Sequence, residues 1–379
     1  MLTNYINWIR ETALPLWAER GFDATAGRFY ERLDSAGAPL AVPHRSMVQA
    51  RQIFVFAHAT EQGWSGNAYK MAEIAMASLL RDFASDSGDE TSFAFAINPA
   101  DGAISSPVRD TYAHAFVLFS IAALFRVNGD VRLLDLADRT IRFIERRLTD
   151  PGHGGLFDAL PPPAGKRQNP HMHLLEAYLF LERAAPGRGH IERATKLVTL
   201  FRRHFFKGGL LMEYFTPDWS IADRAVWEPG HHFEWAWLLG EFAALTGEDL
   251  SAEVATLYDS AVAYGRSTDG LIIDELSPEP APLKMSRRVW PHTEAIKAAS
   301  MRHAKGDADA RSFAESMAAL LMDRFLDRPF AGGWVDHLDA QGAPLVDYVP
   351  ASSLYHLALA ASVAAQGFAG AAGLAKATS

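Results

Sequence analysis

Cysteine is absent from the 379-residue sequence, which excludes disulfide bonds and catalysis by a thiolate. Long runs of like charge are also absent, because the 36 lysines and arginines are interspersed with the 45 aspartates and glutamates. The net charge of −9 gives no basic surface of the kind that binds nucleic acid. We therefore expect no nucleic-acid partner.

Long apolar runs are missing as well. No uninterrupted run reaches the roughly 20 residues that cross a bilayer, and the first ten residues lack the basic and apolar regions of a signal peptide. We therefore expect a cytoplasmic protein that has no membrane partner. Hydrophobic residues nevertheless make up 49% of the chain, which is ample material for a large core.

A short motif recurs six times, at intervals of about sixty residues. Each copy combines turn-forming or small residues with aromatic and aliphatic ones, and the copies begin at Gly27, Ser92, Gly154, Gly208, Asp269 and Gly332. A repeat of this length indicates one supersecondary unit that is copied and stacked. Because the units share one interior, we predict a single domain over residues 1–379.

Helical periodicity predicts twelve helices, of two alternating kinds. The helices are expected at 2–20, 45–63, 66–84, 108–128, 131–148, 171–185, 190–206, 229–246, 250–266, 288–305, 308–326 and 351–365. The first, third and other odd helices have one charged face, whereas the even ones are apolar nearly all round. The even helices therefore form an inner ring and the odd helices an outer ring. The predicted fold is an all-α (α/α)6 barrel, with short β-hairpins in the long connections.

The six inner helices open on polar residues that this fold directs into one pocket. The openings carry Arg45, Gln49 and Arg51; Asp110, Tyr112 and His114; Asn169, His171 and His173; His231 and Glu234; Trp290 and Glu294; and Ser352 and His356. Helix N-termini present free N–H groups and partial positive charge. The pocket therefore favours anionic or oxyanion-forming species.

Several of these residues suggest proton transfer. His231 and Glu234 are three apart and share a helix face, so the pair is either a tuned proton carrier or a helix cap. Asn169 and His173 share a face at a spacing of four residues. His356 lies one turn into an apolar helix, where a buried core histidine is the alternative interpretation.

Arg51 is costly to bury without a partner, so it pairs with a carboxylate or binds an oxygen-rich ligand. Tyr112 and Trp290 are candidate stacking walls for a sugar, although aromatic residues at helical spacing also build cores. The histidines and glutamates would suffice for zinc, but Arg51 opposes a cation. We therefore predict no metal and no cofactor.

Five segments of the chain resemble the N-acylglucosamine 2-epimerase superfamily, which includes N-acylglucosamine 2-epimerases, cellobiose 2-epimerases, mannose isomerases and sulfoquinovose isomerases. In chain order they are Gln49-Ala-Arg-Gln-Ile-Phe-Val-Phe, Asn169-Pro-His-Met-His-Leu-Leu-Glu-Ala, Glu228-Pro-Gly-His-His-Phe-Glu-Trp-Ala-Trp-Leu-Leu, Val289-Trp-Pro-His-Thr-Glu-Ala-Ile-Lys-Ala and Ala351-Ser-Ser-Leu-Tyr-His. The resemblance is strongest to the mannose isomerase and sulfoquinovose isomerase branch.

The resemblance implies roles for the residues at these positions. It makes His231 and His356 the proton-transferring histidines, Glu234 the carboxylate that orients and charges His231, and Arg51 the residue that holds the sugar oxygens. It implies substrate contacts for Asn169, His173, Tyr112, Trp290 and Glu294.

The chain departs from the family pattern at two positions. Ser352, which we also expect to contact substrate, stands where some sulfoquinovose isomerases carry glutamine, and this argues against a sulfonated sugar. His292 stands where glutamine is common.

We therefore predict an aldose–ketose isomerase that interconverts D-mannose and D-fructose, or a close analogue, through an enediolate. His231 would help to open the ring, and His356 would move a proton between C1 and C2. A 2-epimerase acting on mannose and glucose, or on N-acylglucosamine and N-acylmannosamine, uses the same intermediate and remains open. A glycoside hydrolase with two facing carboxylates and a non-catalytic sugar-binding protein also remain open. The predicted partner is a monosaccharide, and the predicted assembly is a monomer or a homodimer.

Overall fold

The inner helices of the computed structural model pack side by side in a ring, each against the next and the last against the first. The structure describes residues 1–66 and 68–377, with the backbone alone for residues 369–377. The inner helices are α3 Ser46–Glu61, α5 Thr111–Asn128, α7 Asn169–Ala184, α9 Pro229–Thr246, α11 Trp290–Ala304 and α13 Leu354–Ala377. A 3₁₀ turn, Ala351–Ser353, precedes α13.

The outer helices surround this ring. They are α1 Leu2–Trp8 and α2 Leu14–Glu19, joined by the π-helical turn Ile9–Ala13, then α4 Tyr69–Phe83, α6 Arg132–Phe143, α8 His190–Leu200, α10 Ser251–Tyr264 and α12 Ala308–Arg324. Further π-helical turns, Ile144–Leu148 and Phe201–Phe205, extend α6 and α8. The prediction of an (α/α)6 barrel is confirmed.

Helix α5 shows why the inner ring forms. Its side chains from Thr111 to Leu124 are buried apart from Tyr112, as expected of a helix with apolar residues on every side. Asp110 caps its first turn by accepting the N–H of Ala113 at 2.8 Å. By length and composition Thr111–Asn128 would also span a membrane, but most of it is buried inside the ring.

Short antiparallel strands fill the connections between outer and inner helices. The strands are β1 Phe22–Asp23, β2 Arg28–Phe29, β3 Arg32–Asp34, β4 His44–Arg45, β5 Ala84–Ser87, β6 Glu90–Phe93, β7 Ala96–Ile97, β8 Ile104–Ser106, β9 Arg109–Asp110, β10 Ala159–Leu160, β11 Lys166–Arg167, β12 Phe206–Lys207, β13 Leu210–Leu211, β14 Tyr214–Phe215, β15 Glu275–Leu276, β16 Pro282–Lys284, β17 Arg287–Arg288, β18 His337–Leu338 and β19 Tyr348–Pro350. Several pairings join different repeats, such as β3 with β19, β9 with β10 and β11 with β14. These pairings tie neighbouring repeats together around the mouth of the ring.

An imidazole or amide in the first turn of an inner helix holds the motif in five of the repeats. It accepts a buried backbone N–H at 2.8–3.0 Å, in the pairs Gln49 with Phe29, His114 with Phe93, His171 with Leu156, His232 with Leu211 and His292 with Ile272. A buried N–H without a partner is costly, so each side chain fixes the hairpin against its helix. His292, one of the two departures from the family pattern, holds the hairpin of the fifth repeat in this way.

Most helix boundaries lie within a few residues of the predicted ones. The largest difference is at the last helix, which continues to Ala377 instead of ending at 365. Its alanine-rich sequence explains this, because alanine has the highest helix propensity.

Candidate active site

A cavity of about 400 Å³ opens at the end of the ring where the inner helices begin. Nine of the ten predicted site residues line it, namely Arg51, Tyr112, Asn169, His173, His231, Glu234, Trp290, Ser352 and His356. Glu294, the tenth, lies behind His356. The fold thus brings residues from six separate helix openings to one monosaccharide-sized space.

His231 lies in the first turn of α9, with a carboxylate at one ring nitrogen and an amide at the other. Its Nδ1 is 3.0 Å from Glu213 Oε2 and 3.8 Å from Glu228 Oε2, and its Nε2 is 2.8 Å from the side-chain amide of Asn169. Burial alone would lower the pKa of His231, but Glu213 and Glu228 outweigh it and raise the pKa to about 9. His231 is therefore an imidazolium at neutral pH.

His356 has the opposite electrostatic environment. It is buried in the first turn of α13, and its Nδ1 lies 2.7 Å from Glu294 Oε1. Burial, together with the positive charges of Arg51 and Lys297, holds the pKa of His356 well below the ordinary 6.5. His356 is therefore a neutral imidazole, and the described residues give its Nε2 no hydrogen-bond partner.

Trp290 packs against both histidines. Its ring centroid is 4.9 Å from that of His231 and 5.6 Å from that of His356. A proton donor and a proton acceptor thus face the same small cavity from different helices. Such a pair can supply a proton and remove one in the same turnover.

Arg51 extends from α3 into the floor of the cavity. Its Nη1 donates to the backbone oxygen of Ser352 at 2.9 Å and its Nη2 donates to the hydroxyl of Tyr112, while the guanidinium carbon lies 4.1 Å from the ring centre of Phe116. Among the described residues, no carboxylate lies within ion-pair distance of it. This buried cation without an ionic partner suits an oxygen-rich ligand or a developing negative charge.

His173 and Tyr112 form one wall of the cavity, with their rings 4.8 Å apart and edge to face. His173 Nδ1 lies 3.1 Å from Glu176 Oε2, yet burial lowers the pKa of His173 to about 4. Neutral His173 thus faces the ligand space as a hydrogen-bonding group.

We predicted that Glu234 orients and charges His231. In the structure Glu234 makes only a minor contribution to the raised pKa of His231, and another carboxylate contacts the imidazole. Glu213, from the loop before β14, contacts His231 Nδ1 instead, and Glu234 lies deeper, 3.8 Å from His173. Burial and the neighbouring Glu294 raise the pKa of Glu234 well above its usual range. The three-residue spacing correctly places Glu234 near the helix face of His231. It does not show that Glu213, a loop residue, lies closer to the imidazole.

The sequence contained a signal that identifies Glu213. Five copies of the recurring motif carry an acidic residue four or five positions after their start, at Glu31, Asp158, Glu213, Asp274 and Asp336. Three of these acids pair with an arginine just before an inner helix, as in Arg45 with Glu31, Arg167 with Asp158 and Arg288 with Asp274. Glu213 instead contacts Gln168 and His231, so its charge acts on the histidine.

Three buried side-chain groups have the spacing of a metal site. They are His173, Glu176 and Glu234; Glu213, Glu228 and His231; and Glu234, Glu294 and His356. The first and third groups surround the ammonium of Lys297, which lies 2.6 Å from Glu294. The second group supports the charge on His231. The absence of a metal stays a prediction.

Known proteins resemble this chain over nearly its whole length. A family model described as N-acylglucosamine 2-epimerase (GlcNAc 2-epimerase) matches residues 27–360. The chain is 32% identical to a mannose-6-phosphate isomerase of Rhizobium meliloti, over 92% of this chain and 93% of the relative. It is 30% identical to a D-mannose isomerase of Thermobifida fusca, over 82% of each protein.

The fold has a close structural counterpart. A cellobiose 2-epimerase of Spirochaeta thermophila superposes with a TM-score of 0.86 at 24% identity, covering 97% of this chain and 96% of that one. The match over residues 27–360 and the two isomerase relatives show that the chain is a sugar isomerase or epimerase and belongs to the N-acylglucosamine 2-epimerase family.

Proposed function

We propose that the protein interconverts D-mannose and D-fructose through an enediolate. The observation that carries this proposal is the pair of histidines that pack against Trp290 and line one cavity, of which His231 has a raised and His356 a lowered pKa. An aldose–ketose isomerisation needs such a pair, because a carbon-bound proton is removed and returned while the sugar oxygens exchange protons. The relative named D-mannose isomerase supports mannose as the substrate, and the relative named mannose-6-phosphate isomerase supports the same type of reaction on a phosphorylated sugar.

His356 is the base in this proposal. In open-chain mannose its free Nε2 removes the proton from C2, and the electrons of that bond form the C1–C2 double bond of the enediolate. Return of the proton to C1 converts the aldehyde carbon to a hydroxymethyl group, and C2 becomes the carbonyl of fructose. C2 is thereby oxidised and C1 reduced, without an external oxidant.

His231 is the acid. Its imidazolium supplies a proton to the ring oxygen as the ring opens, and the proton lost by the O1 hydroxyl restores it. It then protonates the O1 carbonyl oxygen as negative charge develops there, and the O2 hydroxyl returns a proton to it when C2 becomes the carbonyl. The amide nitrogen of Asn169 faces Nε2, which suits the ring after it has given up its proton. Turned by 180°, the same amide presents the oxygen that accepts the Nε2–H of the imidazolium.

Arg51 stabilises the negative charge of the enediolate. Its planar guanidinium presents several N–H groups at fixed angles, which suits neighbouring oxygens on C1 to C3. Because the aromatic rings around it exclude water, the interaction is stronger than it would be in solution.

Neutral mannose is favoured over a phosphorylated sugar. The other arginines that line the cavity, Arg45, Arg167 and Arg288, already have carboxylate partners at 2.5–3.4 Å. The mouth of the site is therefore close to neutral. Adding mannose 6-phosphate as a competitor tests this point, and we expect weak inhibition at best.

A product assay tests the proposed reaction. Purified protein incubated with mannose should yield fructose, and fructose should yield mannose. Glucose as the main product would instead show a 2-epimerase, in which the proton returns to the opposite face of C2. No change in mannose, with turnover of an N-acylated or disaccharide substrate, would contradict the proposed substrate.

A glycoside hydrolase has less support. Inversion needs two carboxyl groups on opposite sides of a bond, with a separation of roughly 6.5–9.5 Å. Of the four carboxylates that line the cavity, Glu213 and Glu228 lie on the same side, next to the same nitrogen of His231. Burial raises the pKa of the third, Glu234, and the fourth, Asp336, accepts a hydrogen bond from Ser353. Cleavage of a disaccharide in the product assay would reverse this conclusion.

A further inference from the structure

Lys297 is a fully buried lysine beneath the floor of the cavity. Its Nζ lies 2.6 Å from Glu294 Oε2 and 4.1 Å from the ring centre of Trp237. A buried ammonium carries a large desolvation cost, which an ion pair offsets only when its geometry is close. Such a residue in the core calls for a reason beyond packing.

The ion pair leads directly to the proposed base. The two oxygens of Glu294 have different partners, because Oε2 faces Lys297 and Oε1 faces His356 Nδ1 at 2.7 Å. An ionised carboxylate accepts hydrogen bonds and cannot donate them. As long as Glu294 is ionised, the hydrogen of neutral His356 therefore sits on Nδ1, and Nε2 keeps the free electron pair.

Burial works against this arrangement. It raises the pKa of Glu294 to about 7 even with Lys297 present. Burial likewise lowers the pKa of an ammonium, but Glu294, Glu176 and Glu234 outweigh this and raise the pKa of Lys297 above its usual range. The titratable and charged groups of the surrounding helices that act on this pair or on His356 are Tyr5, Arg51, His173, Glu176, His231, Glu234 and Tyr355.

We propose that Lys297 is a positioning residue: its ammonium keeps Glu294 ionised, and Glu294 keeps His356 in the tautomer whose Nε2 accepts the sugar proton. Without Lys297, a protonated Glu294 donates to Nδ1 and moves the imidazole hydrogen to Nε2. The effect on turnover rests on the proposed function, whereas the tautomer of His356 does not.

Nitrogen-15 NMR of the histidine side chains tests the tautomer directly, with His356 assigned by comparison with a His356→Asn variant. Wild-type His356 should carry its hydrogen on Nδ1 at pH 7.5, and Lys297→Met should move it to Nε2. Lys166→Met is the matched control, because Lys166 is also buried, pairs with Asp150 at 2.6 Å and lies 4.4 Å from the ring centre of Trp219. It should leave the tautomer of His356 unchanged.

Kinetics test the consequence for catalysis. Lys297→Met should lower kcat about 100-fold, the size expected for loss of a general base, with little change in KM. Since Lys297 acts through Glu294, the same replacement in a Glu294→Gln background should cause almost no further loss. Losses that multiply in the double variant would overturn the proposal, as they would show two independent roles.

Two outcomes overturn the proposal without kinetics. One is a Lys297→Met protein in which His356 keeps its hydrogen on Nδ1. The other is a wild-type protein with that hydrogen on Nε2, which is decisive even if the variant does not fold. If the wild type fails to convert mannose, the proposed function fails, but both NMR outcomes still test Lys297.

Discussion

At the scale of single residues, the charge on His231 depends on a carboxylate that belongs to another part of the chain. Replacing Glu213 by Gln removes the strongest of the contacts that favour the imidazolium, so the pKa of His231 should fall from about 9. The alkaline limb of the kcat/KM profile should move to lower pH by about one unit. Glu228→Gln, with its carboxylate at 3.8 Å, should move it less. A limb that stays in place in both variants would show that His231 is not the titrating acid.

Arg51 is the residue on which stabilisation of the intermediate depends. Arg51→Met should reduce kcat by about 100-fold or more, comparable to the loss of an oxyanion-stabilising donor. Arg51→Lys keeps the charge but loses the planar fork, so it should recover only part of this rate. Steady-state kinetics with mannose measure both variants. Full activity in Arg51→Met would exclude the role given to the guanidinium.

The sequence predicted the main site residues because inner-helix openings and the family resemblance point to the same positions. Arg51, His231 and His356 all line the cavity, as expected. The partners of the two histidines were harder to predict. Glu213 comes from the hairpin segment before the helix of His231, 18 residues earlier in the chain, and Lys297 resembles an ordinary polar residue in an apolar helix. Their importance depends on distances between segments that periodicity does not provide.

At the scale of elements, the hairpins of five repeats each depend on one side chain of the following inner helix. His292→Ala leaves the N–H of Ile272 buried and unpaired, so it should cost about 2 kcal/mol of unfolding free energy. His292→Gln should cost clearly less, because Gln49 performs the same task for Phe29 in the first repeat. Urea unfolding compares the two variants. Equal losses would show that the ring itself, rather than its acceptor nitrogen, holds the hairpin.

The sequence predicted the elements of the fold better than the directions of their side chains. Apolar periodicity identified the twelve helices, and the turn residues identified the hairpins. The histidines of the helix openings look alike in the sequence, yet His231 faces the cavity whereas its neighbour His232 holds Leu211. The direction in which each histidine points along the helix can be assigned only when the position of the hairpin is known.

At the scale of the whole molecule, buried histidines make the fold sensitive to acid. Burial lowers the pKa of His114, His171 and His292 to about 4 and that of His232 to about 3. The unfolded chain therefore binds more protons below pH 6.5. The stability that these four histidines contribute should be complete above pH 6.5 and decrease towards pH 4, by about 3 kcal/mol for each histidine that is protonated only on unfolding.

Urea midpoints measured between pH 7.5 and 4.5 test this dependence. The His292→Gln protein is the control, because it lacks one of the histidines and should lose less stability over the same range. A wild-type midpoint that is constant down to pH 4.5 would contradict the assigned pKa shifts.

Three predictions about the whole chain stay predictions: the single domain over residues 1–379, the monomer or homodimer, and the cytoplasmic location.

The account depends most on two histidines of opposite charge in one cavity. An NMR titration of the His231 and His356 side chains from pH 5.5 to 9.5 measures this directly. We predict that His231 remains an imidazolium until about pH 9 and that His356 stays neutral throughout. Titration of both residues near the ordinary pKa of 6.5 would contradict the assignment of acid and base.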